Sequence, residues 1–246
     1  MMTQKKPQNK PCVLVHGGWC GGWHWEDVAG RLRERGLRIE TPTLPGMAER
    51  VGEAQPDTGL HAHIADIAAF IEDNDLHDVV LVGHSYGGAV ITGVAQEPVG
   101  TRISELVYID AFVPRDGESL ADIMGQEFVD ASQAAALQAG TPHLIPPMFS
   151  VEEAIGWTGQ RAADHAARLC SQPMATSFDV MRAPGKPSAR LHYVACTAQP
   201  LGVFDRYAQM ARNSQDWSYY ELPSPHDAVH TMPFVVAGLI ETLATS

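Results

Sequence analysis

Short apolar runs recur along the chain and alternate with segments long enough to form helices. Six runs predict β-strands, at residues 12–16, 37–41, 79–83, 104–110, 190–196 and 217–222. Helices are predicted at residues 25–35, 59–74, 86–97, 204–213 and 232–243. Several runs are apolar at nearly every position, as expected for strands buried on both faces. The pattern predicts an α/β fold with an open, mostly parallel, doubly wound sheet of six strands.

One interval, residues 111–189, is too long for a single crossover between strands. It contains seven prolines with helical stretches between them, and Ser150 with Glu153 forms the capping box that begins one such helix. We predict that this interval is a helical cap, inserted into a core formed by residues 11–110 and 190–246. Residues 1–10 are polar and are predicted to be a flexible tail.

The strongest chemical signal is the sequence Gly-His-Ser-Tyr-Gly-Gly at residues 83–88. It lies between a predicted strand and a predicted helix, which is the context of a nucleophile elbow. The serine of such an elbow occupies a strained turn, so the residues around it must be small. Ser85 is therefore the candidate nucleophile.

A serine hydroxyl needs a general base, and the base is expected at the carboxyl end of a later strand. His226 fits, because it follows the last predicted strand and precedes the last predicted helix. His230 is the alternative general base if the loop after the last strand runs differently. The third member must be a carboxylate that orients the histidine. Asp110, at the end of a strand, is favoured over Asp205, which lies at the start of a predicted helix.

Acyl transfer also requires N–H donors that stabilise the oxyanion. One donor is expected from Tyr86, the residue after the nucleophile. The other is expected from the glycine-rich loop after the first strand, where Gly18 is the first choice and Trp19 the second. The loop lacks the GxGxxG pattern and the lysine of a phosphate-binding loop.

Composition narrows the function classes. The chain has 246 residues and a net charge of −12 at pH 7, which disfavours binding to nucleic acid or to anionic membranes. Four scattered cysteines do not form a disulfide framework or a zinc motif, so reduced thiols and a cytoplasmic location are expected. No metal or organic cofactor is expected.

Four stretches together resemble the α/β-hydrolase superfamily. They are VLVHGG at 13–18 with GWHW at 22–25, the elbow around Ser85, YIDAFVP at 108–114 and PHD at 225–227. The chain is most similar to the branch that holds plant methylesterases, hydroxynitrile lyases and bacterial relatives. The resemblance covers the chain beyond the tail and is weakest in the predicted cap.

Two departures from the superfamily pattern bear on the choice of the acid and on the lyase activity. The superfamily acid usually follows the strand equivalent to residues 190–196, where this chain has Gln199. The superfamily also tolerates an acid one strand earlier, where this chain has Asp110. The lyases carry a threonine and a lysine at the positions of Gly17 and Asp227, so cyanohydrin cleavage is disfavoured.

The hypothesis is a serine hydrolase that cleaves a small, apolar carboxylic ester, with an aromatic ester as the more specific substrate hypothesis. A carbamate or amide hydrolase with the same triad is the first alternative, followed by a hydrolase-fold ligand receptor and a cofactor-free oxygenase. A small-molecule substrate is the expected partner, and homodimerisation is left open. The candidate substrate-binding residues are Trp19, Phe128, Met148, Phe149 and Trp157.

Overall fold

The computed structural model describes residues 9–199 and 201–246. Its strands are β1 (Cys12–Val15), β2 (Ile39–Glu40), β3 (Val79–His84), β4 (Ile103–Ile109), β5 (Leu144–Ile145), β6 (Gln172–Pro173), β7 (Arg190–Cys196) and β8 (Trp217–Leu222). Six of them form one parallel sheet in the order β2-β1-β3-β4-β7-β8, which confirms the predicted α/β fold. The short strands β5 and β6 pair with each other in antiparallel orientation, apart from this sheet.

The helices are α1 (Glu26–Glu34), α2 (Leu60–Asp73), α3 (Tyr86–Val94), α4 (Leu120–Met124), α5 (Gln126–Gln138), α6 (Val151–Ile155), α7 (Gly159–Ala166), α8 (Asp205–Arg212), α9 (Ala228–Thr231) and α10 (Pro233–Ala244). Four of the five predicted helices begin and end within one residue of the prediction. The exception is α3, which ends at Val94. It does not reach residue 97 as predicted, because Glu97 precedes Pro98 and has extended backbone (φ −72°, ψ 161°). The short helix α9 was not predicted.

Residues 111–189 fold into the four helices α4 to α7, the pair β5–β6 and a 3-10 turn. The predicted capping box is present, since Ser150 Oγ accepts a hydrogen bond from the Glu153 N–H. The division into core and cap stays a prediction. Residues 1–8 of the predicted tail lie outside the described residues. Lys10 is anchored, because its N–H donates to the Ala244 carbonyl and its Nζ lies 2.9 Å from the Glu105 carboxylate.

Two apolar clusters lie on opposite faces of the sheet. Along β1, Val13 and Val15 belong to one cluster, and Cys12 and Leu14 belong to the other, because successive side chains of a strand point to opposite faces. Side chains of α2, α3 and α8 complete the first cluster, and those of α1 and α10 complete the second. Both faces of the sheet are therefore covered, and its carboxyl edge remains available for polar chemistry.

A single residue, Ser85, connects β3 to α3. Its backbone has φ 52° and ψ −118°, a conformation that L-residues rarely adopt. The joint is also crowded: a Cβ atom on Gly87 would lie 2.5 Å from the Val15 carbonyl oxygen, and one on Gly83 would lie 2.6 Å from the Gly87 backbone. The start of α3 therefore packs directly on the end of β1.

Substituting Gly87 with alanine should destabilise the protein by about 2–3 kcal/mol, because the added Cβ must displace backbone. Gly30→Ala is the matched control. Gly30 lies inside α1 with no atom within 4 Å of its Cβ position, so alanine should stabilise the fold by about 0.5–1 kcal/mol. Urea unfolding of the two variants checks the opposite signs. Equal effects of the two substitutions would contradict the packing described for Gly87.

Three buried histidines form hydrogen bonds that connect loops to the sheet and to α3. His16 accepts from the Leu44 N–H at 3.1 Å and donates to the Gly17 carbonyl at 2.8 Å. His63 accepts from the Tyr86 hydroxyl at 2.8 Å and donates to the Pro45 carbonyl. His84 donates to the His226 carbonyl at 3.2 Å. His16 and His63 must be neutral to make these bonds, because each accepts a hydrogen bond at one ring nitrogen.

Burial lowers the pKa of these rings from 6.5, to about 4 for His16 and His84 and to about 3 for His63. The unfolded chain therefore binds more protons than the folded chain between about pH 6.5 and 4. We predict that the free energy of unfolding is fully retained above pH 6.5. It should fall by roughly 1–2 kcal/mol per histidine at pH 5.

Urea unfolding from pH 7 to pH 5 checks this prediction. His84→Gln should flatten the pH dependence, whereas His77→Gln, at an exposed site, should leave it unchanged. A stability that is constant over this range would show that the three rings are not buried in neutral form.

Within the described ranges, every helix is too short or too polar to span a bilayer.

Candidate active site

The carboxyl ends of three parallel strands bring the three predicted catalytic residues to one edge of the sheet. Ser85 follows β3, Asp110 follows β4, and His226 lies in the loop after β8. His226 Nδ1 lies 2.6 Å from Asp110 Oδ2, a short hydrogen bond. Ser85 and His226 both line one cavity of about 480 Å³. Such crevices at the carboxyl ends of strands are where open α/β sheets place their ligands.

Asp110 is buried and fixed by the backbone around it. Its N–H donates to the Val194 carbonyl at 2.8 Å, and its Oδ1 accepts from the Cys196 N–H at 3.2 Å. Its φ of 41° turns the chain sharply at the end of β4. Since His226 donates to Asp110 through Nδ1, its Nε2 carries the free lone pair of the neutral ring. That nitrogen can accept a proton.

Two flat side chains enclose the His226 ring. Phe204 stacks on one side with ring centroids 4.7 Å apart and planes 7° apart. His84 lies 4.8 Å away at 35° and also binds the His226 carbonyl. These contacts restrict both the ring and its backbone. Phe204 was not identified from the sequence, where it appears only as an apolar residue before a helix.

The rival acid is placed differently. Asp205 is exposed at the first position of α8, where a negative charge favours the helix dipole. Gln199, at the usual superfamily position of the acid, is exposed, and its backbone bridges to Pro225. The structure thus brings Asp110 to His226, as favoured from the sequence.

The two predicted oxyanion donors flank Ser85. Tyr86 is the first residue of α3, so its N–H has no acceptor within the helix. Gly18 lines the cavity. The hydrogen bond from His16 to the Gly17 carbonyl fixes the peptide that contains the Gly18 N–H. In a trans peptide the N–H points opposite to the carbonyl, so His16 sets the direction of this donor.

Three of the five predicted substrate-binding residues line the cavity, namely Trp19, Phe128 and Phe149. Met148 and Trp157 are not among the described lining residues. Met148 lies between Pro147 and Phe149, which both face the cavity.

Trp157 packs against His165 and His230 instead of the cavity, with the Arg161 guanidinium 3.4 Å from its ring centroid. Sequence reasoning missed several apolar lining residues because the short helices of the interval carry no clear periodicity. They include Leu120, Met124, Ile145, Ile155 and Leu169.

A second polar group adjoins His226. Asp227 is 5% exposed and lies near His24 and His230. Burial works against ionisation of Asp227, but its contacts with His24 and His230 hold its pKa well below the usual value. His24, Asp227 and His230 are also the described residues that could together hold a metal ion.

Comparison with known proteins agrees with this geometry. The sequence pattern of the α/β hydrolase family matches residues 12–239. A carbendazim hydrolyzing esterase from Nocardioides sp. (strain SG-4G) is 33% identical over 243 residues, 94% of this chain and 98% of its own length. Putative methylesterase 13 of Arabidopsis thaliana is 31% identical over 121 residues, 49% of this chain and 27% of its own length.

Solved structures share the fold. An extracellular α/β-hydrolase from Paenibacillus species, described as homologous to tobacco salicylic acid binding protein 2, superposes with a TM-score of 0.81 at 24% identity. The match covers 96% of this chain and all of that one. The pyrethroid hydrolase PytH gives a TM-score of 0.72 at 19% identity, over 97% and 98% of the two chains. The chain therefore belongs to the α/β hydrolase family, among members that hydrolyse carboxylic esters.

Proposed function

We propose that the protein is a serine hydrolase that cleaves a small, largely apolar carboxylic ester through an acyl-enzyme. The observation that carries this proposal is the 2.6 Å bond between Asp110 and His226 at the wall of the cavity that Ser85 also lines. A nucleophile, a base and an orienting acid are the minimum set for this chemistry.

In the first half-reaction, Ser85 Oγ attacks the ester carbonyl carbon and its proton passes to His226 Nε2. Asp110 stabilises the imidazolium that forms. The Gly18 and Tyr86 N–H groups hold the negative oxygen of the tetrahedral intermediate. When this intermediate collapses, the bond to the leaving alkoxide breaks, and His226 donates its proton to that oxygen.

In the second half-reaction, water replaces the alcohol. His226 takes a proton from the water as its oxygen attacks the acyl carbon, and the same N–H groups hold the oxyanion. Collapse breaks the bond to Ser85 Oγ, which recovers its proton from His226. The carboxylic acid leaves, and the enzyme returns to its starting state. These steps need no metal ion.

The cavity favours an apolar substrate with an aromatic part. Trp19 and Phe149 meet edge to face, with ring centroids 5.8 Å apart, and Phe128 lines the same cavity. A volume of about 480 Å³ suits a small ligand. Aromatic esters are therefore the first substrate class. Carbamates are the second, because carbonyl attack and the same aromatic wall would serve both.

One relative, which matches over 94% of this chain, is named for hydrolysing carbendazim, so this compound belongs in the substrate panel. A cytoplasmic location is part of the proposal and is supported by four free cysteines.

Ser85→Ala should lower kcat for p-nitrophenyl acetate by about 10⁴-fold or more, because the covalent route is lost. Ser218→Ala, on the exposed side of β8, is the matched serine control and should keep wild-type activity. The assay should then be repeated with aromatic esters, carbamates and carbendazim. Wild-type hydrolysis by Ser85→Ala would contradict the serine mechanism.

Asp110→Asn should lower kcat by about 10⁴-fold, since an amide cannot stabilise the imidazolium or hold the tautomer that leaves Nε2 free. Asp205→Asn is the control and should change kcat less than twofold. Steady-state kinetics on one activated ester measure both. If Asp205→Asn is the crippling substitution, the assignment of the acid is wrong.

A further inference from the structure

Three potential metal ligands lie together beside the cavity. They are His24, in the 3-10 turn Gly22–Trp25 after β1, and Asp227 and His230, at the start and within α9. One ligand atom from each side chain falls in a group whose members are all within 4.8 Å of one another. The proposed hydrolysis uses none of the three.

The distances from Asp227 to the two histidines lie on either side of the spacing between two ligands of one metal ion, and the shorter one is also a hydrogen bond. His24 Nε2 lies 3.7 Å from Asp227 Oδ1, beyond hydrogen-bond range. His230 Nδ1 lies 2.9 Å from Asp227 Oδ2. Two ligands bound tetrahedrally at 2.0–2.1 Å from zinc are about 3.3 Å apart, between these two values. Small side-chain shifts would therefore complete the coordination.

His24 has an unsatisfied polar edge. It is 2% exposed, and within residues 9–199 and 201–246 neither Nδ1 nor Nε2 has a hydrogen-bond partner. Buried polar nitrogens normally have partners, and each exception requires an explanation. Its ring stacks on His84 at 4.9 Å and 19°, so its orientation is fixed with Nε2 towards Asp227. A metal ion at this point would satisfy that nitrogen.

Asp227 supplies a buried carboxylate that has no Lys or Arg partner among the described residues. Its ion-pair contacts among the described residues are to His24 and His230. Its Oδ1 also accepts the His230 N–H at 3.2 Å, which fixes the carboxylate against α9. Buried charges in proteins are usually paired or bound to metals. The hydrogen bond from the His230 N–H thus holds the Asp227 carboxylate in a fixed position for binding an ion.

We propose that His24, Asp227 and His230 bind one divalent transition-metal ion of the zinc type. Two imidazoles and one carboxylate favour zinc and its neighbours over magnesium or calcium, which prefer oxygen ligands. His24 and Asp227 line the cavity, so a fourth position would face it and accept water or a ligand group. This inference departs from the sequence analysis, which expected no metal.

The ion would also obstruct the cavity, a consequence that rests on the proposed function. His24, Asp227 and the base His226 all line the cavity. An ion with water or a ligand group on its fourth position would therefore occupy space beside the base. We expect bound zinc to slow ester hydrolysis several-fold.

The test is metal binding to the full-length protein after treatment with a chelator. Calorimetric titration with zinc chloride should give one site per chain with a Kd at or below about 1 μM. Cobalt(II) should give the visible absorption of a four- or five-coordinate site, which zinc then displaces. His230→Ala and Asp227→Asn should weaken zinc binding at least 100-fold and abolish the cobalt band.

His77→Ala, at an exposed histidine, is the matched control and should bind zinc as the wild type does. Because His24 is buried, circular dichroism must first show that His24→Asn folds. The cobalt spectrum of the wild type tests the metal site without that variant. Absence of stoichiometric binding, or equal affinity in His230→Ala and the wild type, would overturn the site.

Assays of ester hydrolysis with and without zinc distinguish failure of the metal site from failure of the proposed hydrolase function. Zinc should inhibit the wild type and His77→Ala but not His230→Ala. Stoichiometric binding without inhibition would refute the link to His226 and leave the site intact. If the wild type hydrolyses no ester, the proposed function fails, while the binding experiment still decides the metal site.

Discussion

The hydrogen bond between Asp110 and His226 links parts of the chain that are 116 residues apart, and the rest of the site depends on it. It runs from the end of β4, past the end of β7, to the loop after β8. The Cys196 N–H, at the end of β7, donates to the other oxygen of the same carboxylate. The bond is therefore possible only because β4, β7 and β8 are parallel neighbours whose carboxyl ends lie at one edge. Loss of that strand order would separate the base from its acid.

A second constraint acts at the nucleophile. The close approach of α3 to β1 at Gly87 places the first turn of α3 beside the glycine-rich loop after β1. His16 then fixes that loop through the Gly17 carbonyl, and His63 fixes Tyr86 through its hydroxyl. Both proposed oxyanion donors are thus positioned by neutral, buried imidazoles. The same burial that positions the donors makes the fold sensitive to acid.

The central sheet and the three polar residues at its edge could be predicted because their signals are local. Strands β7 and β8 begin and end where their apolar runs do, and the elbow glycines mark Ser85. Asp110 could be inferred because Gln199 occupies the position usual for the acid. In contrast, β2 is only two residues long, since its pairing with β1 ends sooner than its apolar run.

What could not be predicted depends on contacts between distant segments. Phe204 stacks on His226, although α8 and β8 lie between the two residues in the chain, and no sequence pattern around Phe204 marks that contact. Trp157 looked like a cavity residue by type, but it packs on His165 and His230. The group of His24, Asp227 and His230 joins the loop after β1 to α9, so spacing along the sequence does not reveal it.

The most direct measurement of the central claim is the mass of the protein after reaction with a fluorophosphonate probe, followed by peptide mapping. An activated Ser85 should form one covalent adduct per chain, on the peptide that contains Ser85. Asp110→Asn should react far more slowly, because its histidine no longer activates the serine. No adduct on the wild type, or an adduct on another residue, would contradict the account.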